Sequence, residues 1–182
     1  MITRKTTQEL LYDSLHELVL KKSVEKISVT EITTNCGMTP AAFYRYFRDK
    51  YELLAWKHTK IQEDIYDDLL AGRVSWKEAV SQAINLLEKD RLFYRKALSG
   101  IEKQNAFFQS TNQLALEKMA AFAKDKMPEA CDQEFEFDLR FYLMSASRAA
   151  IDWLIHSQGY TKEEIVEYIY NARPEKLKNF LI

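Results

Sequence analysis

Glycine and proline are scarce, at four and three in 182 residues, against roughly 13 and 9 at average usage. Folds built from many short strands need those residues at their turns, so a β-sandwich or barrel is excluded. No segment alternates with a period of two for long enough to make a strand. Long apolar runs are missing too; none approaches the ~20 residues that cross a bilayer. Residues 1–9 hold no hydrophobic stretch of the kind that heads a secretory signal. Cys36 and Cys131 are the two cysteines. Without a CxxC motif they make no disulfide framework and suit a reducing cytosol. His16, His58 and His156 have no ligand-like spacing, and neither HExxH nor a Gly-rich phosphate loop is present. The expectation is therefore a cytoplasmic protein that is no enzyme, with no catalytic residue, no metal, no cofactor and no membrane contact.

What is present is helix signal. Thr6/Glu9, Ser28/Glu31, Asp49/Glu52, Ser75/Glu78 and Thr161/Glu164 each have the spacing of a capping box, in which N-cap and N3 side chains satisfy each other's backbone N–H. Thr39-Pro40 adds a sixth start, with Pro in the first helical position. Gly72, Gly100 and Gly159 stand where helices stop. These marks predict an all-α chain of about nine helices: 6–21, 28–35, 39–46, 49–71, 75–88, 90–99, 102–126, 133–158 and 161–171, with a short tail helix after Pro174. The inner stripe of the first is Leu10, Leu11, Ser14, Leu15, Leu18 and Val19. No linker separates an N-terminal head (1–60) from a helical body (61–182), because the fourth helix runs through the boundary. Charge divides at the same place. The head carries 10 Lys/Arg against 7 Asp/Glu, and the body 16 against 20.

Residues 28–47 carry the most specific pattern. A two-turn helix, a tight turn at Cys36-Gly37-Met38 and a second short helix make helix-turn-helix spacing. Ile32, Met38, Phe43 and Phe47 are placed to face inward. That leaves Thr39, Pro40, Ala41, Ala42, Tyr44, Arg45 and Tyr46 at the surface. Compact leading residues let a helix enter the DNA major groove, Arg45 can reach a guanine edge or a phosphate, and the tyrosine hydroxyls suit phosphate oxygens. Thr30 and Lys50 lie at the N-termini of flanking helices, where anions bind.

In this segment the chain resembles the DNA-binding domain of the TetR family of bacterial regulators over residues 6–60. The carrying residues are Val29-Thr30-Glu31-Ile32, Cys36-Gly37-Met38-Thr39, Phe43-Tyr44-Arg45-Tyr46-Phe47 and Lys50-Tyr51-Glu52-Leu53-Leu54. A narrower resemblance, to the branch that includes the dihydroxyacetone kinase activator, rests on residues 22–29 and 51–56, with a looser one at 104–108 and 149–154. It implies a DNA-binding transcriptional regulator, a homodimer on a pseudo-palindromic site, and a small-molecule effector or partner protein. Two departures stand out. Pro40-Ala41-Ala42 replaces a common Lys-Gly-Thr, and Ser23 replaces a common Gly after the first helix. The first removes a cation from the recognition helix, and leaves a co-regulator acting through protein contacts as the alternative.

The body's aromatic residues sit on helices that would surround a central space. Trp56, Phe93, Phe107, Phe108, Phe141 and Tyr142, with Gln104 as a polar contact, are the candidate effector-pocket residues; Asn105 and Arg148 are further polar candidates. Plain core is the competing reading for each. Small residues at 145–150 let helix axes approach closely. Ala146, Ala149, Ala150, Trp153 and Leu154, with Ile165 and Ile169, are the candidate dimer seam.

Overall fold

The computed structural model describes residues 5–99, 101–156 and 159–182, with the backbone alone at 101–106 and 110. Among the described residues ten α-helices follow one another: α1 (Thr7–Lys21), α2 (Val29–Asn35), α3 (Pro40–Tyr44), α4 (Lys50–Leu70), α5 (Trp76–Lys89), α6 (Arg91–Ala97), α7 (Ile101–Lys126), α8 (Gln133–His156), α9 (Lys162–Asn171) and α10 (Glu175–Lys178). Single 3₁₀ turns at Val24–Lys26 and Pro128–Ala130 complete the order, and no strand occurs among the described residues. No helix among them is long and apolar enough to cross a membrane.

Four of the five capping boxes form in full, at Thr6, Ser28, Ser75 and Thr161. Asp49 does cap α4, accepting from the N–H groups of Tyr51 and Glu52 at 2.8 and 2.9 Å. Glu52 does not reciprocate. Its carboxylate accepts from the Arg48 backbone N–H at 2.6 Å and from Arg48 Nε at 3.2 Å, because the bend before α4 brings that N–H closer than the cap's own. Gly37 and Gly72 end α2 and α4 at φ of 70° and 67°. Both let the next residue's N–H return to the helix, Met38 to Thr33 O at 2.7 Å and Arg73 to Asp68 O at 2.9 Å, a closure that requires the left-handed conformation glycine adopts without strain.

The head core is Leu11, Leu15, Val19, Val24, Ile27, Ile32, Phe43, Phe47 and Leu53, all buried. A buried polar thread pins α1 to α2. Ser14 Oγ donates to Ile32 O at 2.7 Å and accepts from Asn35 Nδ2 at 3.1 Å. Leu10, expected on the inner stripe, is exposed instead, and Tyr12 is buried, since α1 turns a second face toward the body. There Tyr12 meets Phe93 edge-on at 5.9 Å, and His16 stacks on Phe93 at 4.5 Å while its Nε2 donates to Asp90 at 2.6 Å. Lys96 Nζ donates to Leu20 O at 2.6 Å. Phe93 thus serves the seam between α1 and α6.

In the body α4 packs along α7, α5 along α9, and α7 along α8. The tail closes the end remote from the head. Leu177 and Leu181 are buried, Phe180 wedges between Phe122 and Phe135, and the Trp76 N–H donates to Ile182 O at 2.5 Å.

Candidate nucleic-acid interface and body cavity

The second helix of the helix-turn-helix pair, α3, is short. Thr39 caps it by accepting from the Ala42 N–H at 3.3 Å, and Pro40 fills its first position. It ends at Tyr44 rather than at residue 46, because the Tyr46 N–H returns to Phe43 O in a tighter turn. Phe43 is fully buried and anchors the element. Thr39, Pro40, Ala41, Tyr44, Arg45 and Tyr46 are exposed together, Ala42 is half-buried, and Thr30 is exposed in the first turn of α2. The surface set read from the sequence is therefore at the surface of the head, with Ala42 at its margin. The Arg45 guanidinium lies over the Tyr46 ring at 5.7 Å and enters no ion pair with a described residue.

Lys50 is engaged differently from the expectation. Its ammonium reaches out of α4 and donates to the carbonyls of Glu25 and Ile27 at 3.0 and 2.6 Å. Those carbonyls offset the cost of a cation in a first helical turn, and Lys50 joins α4 to the start of α2. Beside it Lys22 pairs with Glu31, and that pairing, reinforced by the Ser28 N–H, holds the Glu31 carboxyl down at about 2.

The body holds a partly open cavity of about 80 Å³ between α4, α5, α7 and α8. Its walls include His58, Gln62 and Tyr66 of α4, Trp76 of α5, and Phe107 and Phe108 of α7. His58 is buried, and burial pushes its pKa down to about 4, so the ring is neutral at pH 7. It shares a 3.2 Å hydrogen bond with the Tyr94 hydroxyl. Burial raises the Tyr66 hydroxyl well above its ordinary range. Trp76 Nε1 donates to Tyr142 Oη at 2.9 Å, and that hydroxyl donates to Ile169 O at 2.8 Å.

Of the pocket residues expected from sequence, Phe107 and Phe108 line the cavity. Tyr142 stands one layer behind it, holding Trp76. Phe93 belongs to the seam with the head. Trp56 packs edge-on against Phe47 at 5.8 Å, in a groove beside the head. Phe141 is 61% exposed and stacks on Phe137 at 6.0 Å, so it points away from the cavity. Arg148 covers the outer side of Phe108, at 5.5 Å from its ring. Gln104 and Asn105 lie outside the described side chains. The sequence reading missed His58, Gln62, Tyr66 and Trp76. The usable signal was α4's own stripe, where Leu54, His58, Gln62 and Ile65 recur at helical spacing and place two polar residues on an inward face.

The seam expected for a second copy is largely consumed within the chain. Ala150, Trp153, Leu154, Ile165 and Ile169 are buried, and Ala146 and Ala149 are half-buried. Ala146, Ala150 and Ile169 face the cavity, and Trp153 lies under the Arg91 guanidinium at 4.8 Å. The exposed apolar residues of α8 are instead Phe137 (65%), Phe141 and Met144, at i, i+4 and i+7; α9 exposes Tyr168, paired edge-on with Tyr160 at 5.3 Å. Among the described residues no three His, Cys, Asp or Glu side chains converge as metal ligands.

Comparison with known proteins agrees with this geometry. Residues 11–55 match the family model for bacterial regulatory proteins of the tetR family. No curated protein sequence matches. The chain is similar to the solved structure of the dihydroxyacetone kinase operon activator DhaS, at 20% identity and TM-score 0.59, over 91% of this chain and 92% of that one. It is similar to Thermus thermophilus FadR, a TetR-family repressor solved with lauroyl-CoA, at 15% identity and TM-score 0.60, over 96% and 95%. A TetR-family regulator from Syntrophomonas wolfei superposes at TM-score 0.65 with 15% identity, over 90% and 91%. The head is thus a helix-turn-helix domain of the tetR family of bacterial regulatory proteins, and the whole chain has the all-α fold of TetR-family transcriptional regulators.

Proposed function

We propose that this protein is a homodimeric, DNA-binding transcriptional regulator of the cytoplasm, whose affinity for DNA is modulated by a small molecule held in the body cavity. The observation that carries the DNA reading is the cluster on α3 and its following turn. Thr39, Pro40, Ala41, Tyr44, Arg45 and Tyr46 are exposed on a head whose other described large apolar residues, Leu10 apart, are packed. Thr39 and the alanine methyls suit base edges and thymine methyls, and Arg45 reads guanine or holds a phosphate. Tyr44, Tyr46 and Thr30 supply phosphate contacts that set register. Lys50 contributes a positive field there while it fixes α4 to the loop before α2. Two heads related by a two-fold axis would read half-sites about 34–36 Å apart, or a multiple of that. The exposed stripe of α8, with Tyr168 of α9, is the surface left for the second copy.

A second reading, a co-regulator acting through a partner protein, has one observation in its favour. The leading turn of α3 offers no cation, since Pro40, Ala41 and Ala42 occupy it. Fluorescence anisotropy on the DNA upstream of the protein's own gene, with competitor DNA and a salt series, separates the two. The regulator reading expects specific binding that weakens steeply with salt, and Arg45→Ala is expected to weaken it about tenfold or more, the worth of one good base contact. Binding that is weak and indifferent to sequence would favour the co-regulator.

A further inference from the structure

The walls of the body cavity restrict what it can hold. Among the described residues that line it, none is Asp, Glu, Lys or Arg. A carboxylate, phosphate or ammonium drawn inside would be buried without a counter-charge, a penalty that apolar contact does not recover. Histidine does not change this, because His58 stays neutral and its Nδ1 is occupied by Tyr94. Three other polar walls are also engaged. Thr111 Oγ1 donates to Phe107 O at 3.0 Å, Ser147 Oγ donates to Leu143 O at 2.9 Å, and Trp76 Nε1 is held by Tyr142.

Gln62 differs from these. Its Oε1 is buried without a hydrogen-bond partner, on a wall shared with Tyr66, Trp76 and Phe107. A buried acceptor is expensive to leave unpaired. A hydroxyl both donates and accepts, so it suits the amide in either of its two orientations. Size adds a limit. At about 80 Å³ the space is below the roughly 150 Å³ that holds benzene in an engineered core, so a single ring enters only as half-buried Phe108 yields at the edge.

We propose that the cavity takes a small uncharged ligand of about one aromatic ring, bearing a hydroxyl that hydrogen-bonds to the Gln62 amide. In naming the class of effector, this rests on the effector reading given above. The test is calorimetric titration of the full-length protein with four one-ring probes: phenol, toluene, benzoate and benzylamine. Phenol is expected to bind about tenfold more tightly than toluene, and neither charged probe is expected to bind. Gln62→Leu should keep toluene binding and erase the advantage of phenol. Its unliganded melting temperature should be unchanged or higher, which shows that it folds. Thr111→Val should leave the phenol preference intact, because that hydroxyl already has a partner. Tighter binding of benzoate or benzylamine overturns the proposal. So does a phenol preference that survives Gln62→Leu, or failure of both neutral probes. DNA anisotropy with and without phenol keeps the two readings apart. Phenol that binds without moving DNA affinity removes the effector role and upholds the ligand class. Regulation by some other ligand, with phenol inert, removes the class and upholds the role.

Discussion

His58 shows how much one buried side chain can govern. Its folded pKa is about 4, against an ordinary 6.5, with burial as the cause. Between those values the unfolded chain takes up a proton that the folded protein refuses. Stability is therefore fully present above about pH 6.5 and is drained as pH falls toward about 4, by about 3 kcal/mol in all. Urea unfolding at about pH 7 and about pH 5 should show this loss, and His58→Leu should flatten it across that window. A wild-type midpoint that holds steady between the two would show that the ring is not insulated. At this scale the sequence was half legible. The outward set on α3 could be read because Phe43 and Phe47 fix which side faces in. His58 and Gln62 could not be assigned from spacing alone, since a polar residue on an apolar stripe is equally consistent with a satisfied core group or a cavity wall. Only the Tyr94 partner of one and the missing partner of the other separate them.

At the scale of elements, two joints bind the head to the body. One is α4, whose 21 residues begin in the head, where they pack on α1, and end beyond the cavity. The other is the seam of α1 and α6, made by Phe93, the His16–Asp90 hydrogen bond and Lys96 on Leu20 O. His16→Ala should cost about 1 kcal/mol, the range of a partly exposed polar pair. It should also speed amide exchange in α6 while leaving α8 unchanged. Equal acceleration in both helices would mean that the seam is not a separate unit. Helix starts were the most legible feature here, because a capping box is a local device that needs only four residues. Asp49/Glu52 is the instructive exception. The cap formed, but the neighbouring Arg48 N–H took the glutamate, and a bend fixed by tertiary packing does not show in a four-residue pattern.

For the molecule as a whole, the surface that would meet a second copy is set by α8. Two interleaved stripes run along it at the same helical spacing. Phe135, Leu139 and Tyr142 are buried, while Phe137, Phe141 and Met144 are exposed. Both stripes have the same spacing and are apolar in sequence, so spacing does not say which of them is buried; that choice goes with where α7 and α10 pack. The paired substitution Phe137→Glu with Phe141→Glu should halve the mass seen by light scattering and leave the helical signal intact, since neither ring supports the core. DNA affinity should fall with it by more than about tenfold, the usual worth of joining two binding modules. A mass that does not change would move the interface elsewhere.

The continuity of α4 also constrains how this chain can change in length. Each residue in an α-helix adds about 100° of rotation and 1.5 Å of rise. One residue gained or lost between Leu54 and His58 would therefore turn the cavity wall by more than a quarter circle relative to the head. Length variants are tolerable in the turns at 71–75 and 127–132, whose drift leaves that phase alone. Any chimera that grafts this head onto another body must be cut so that the helical phase of α4 is preserved.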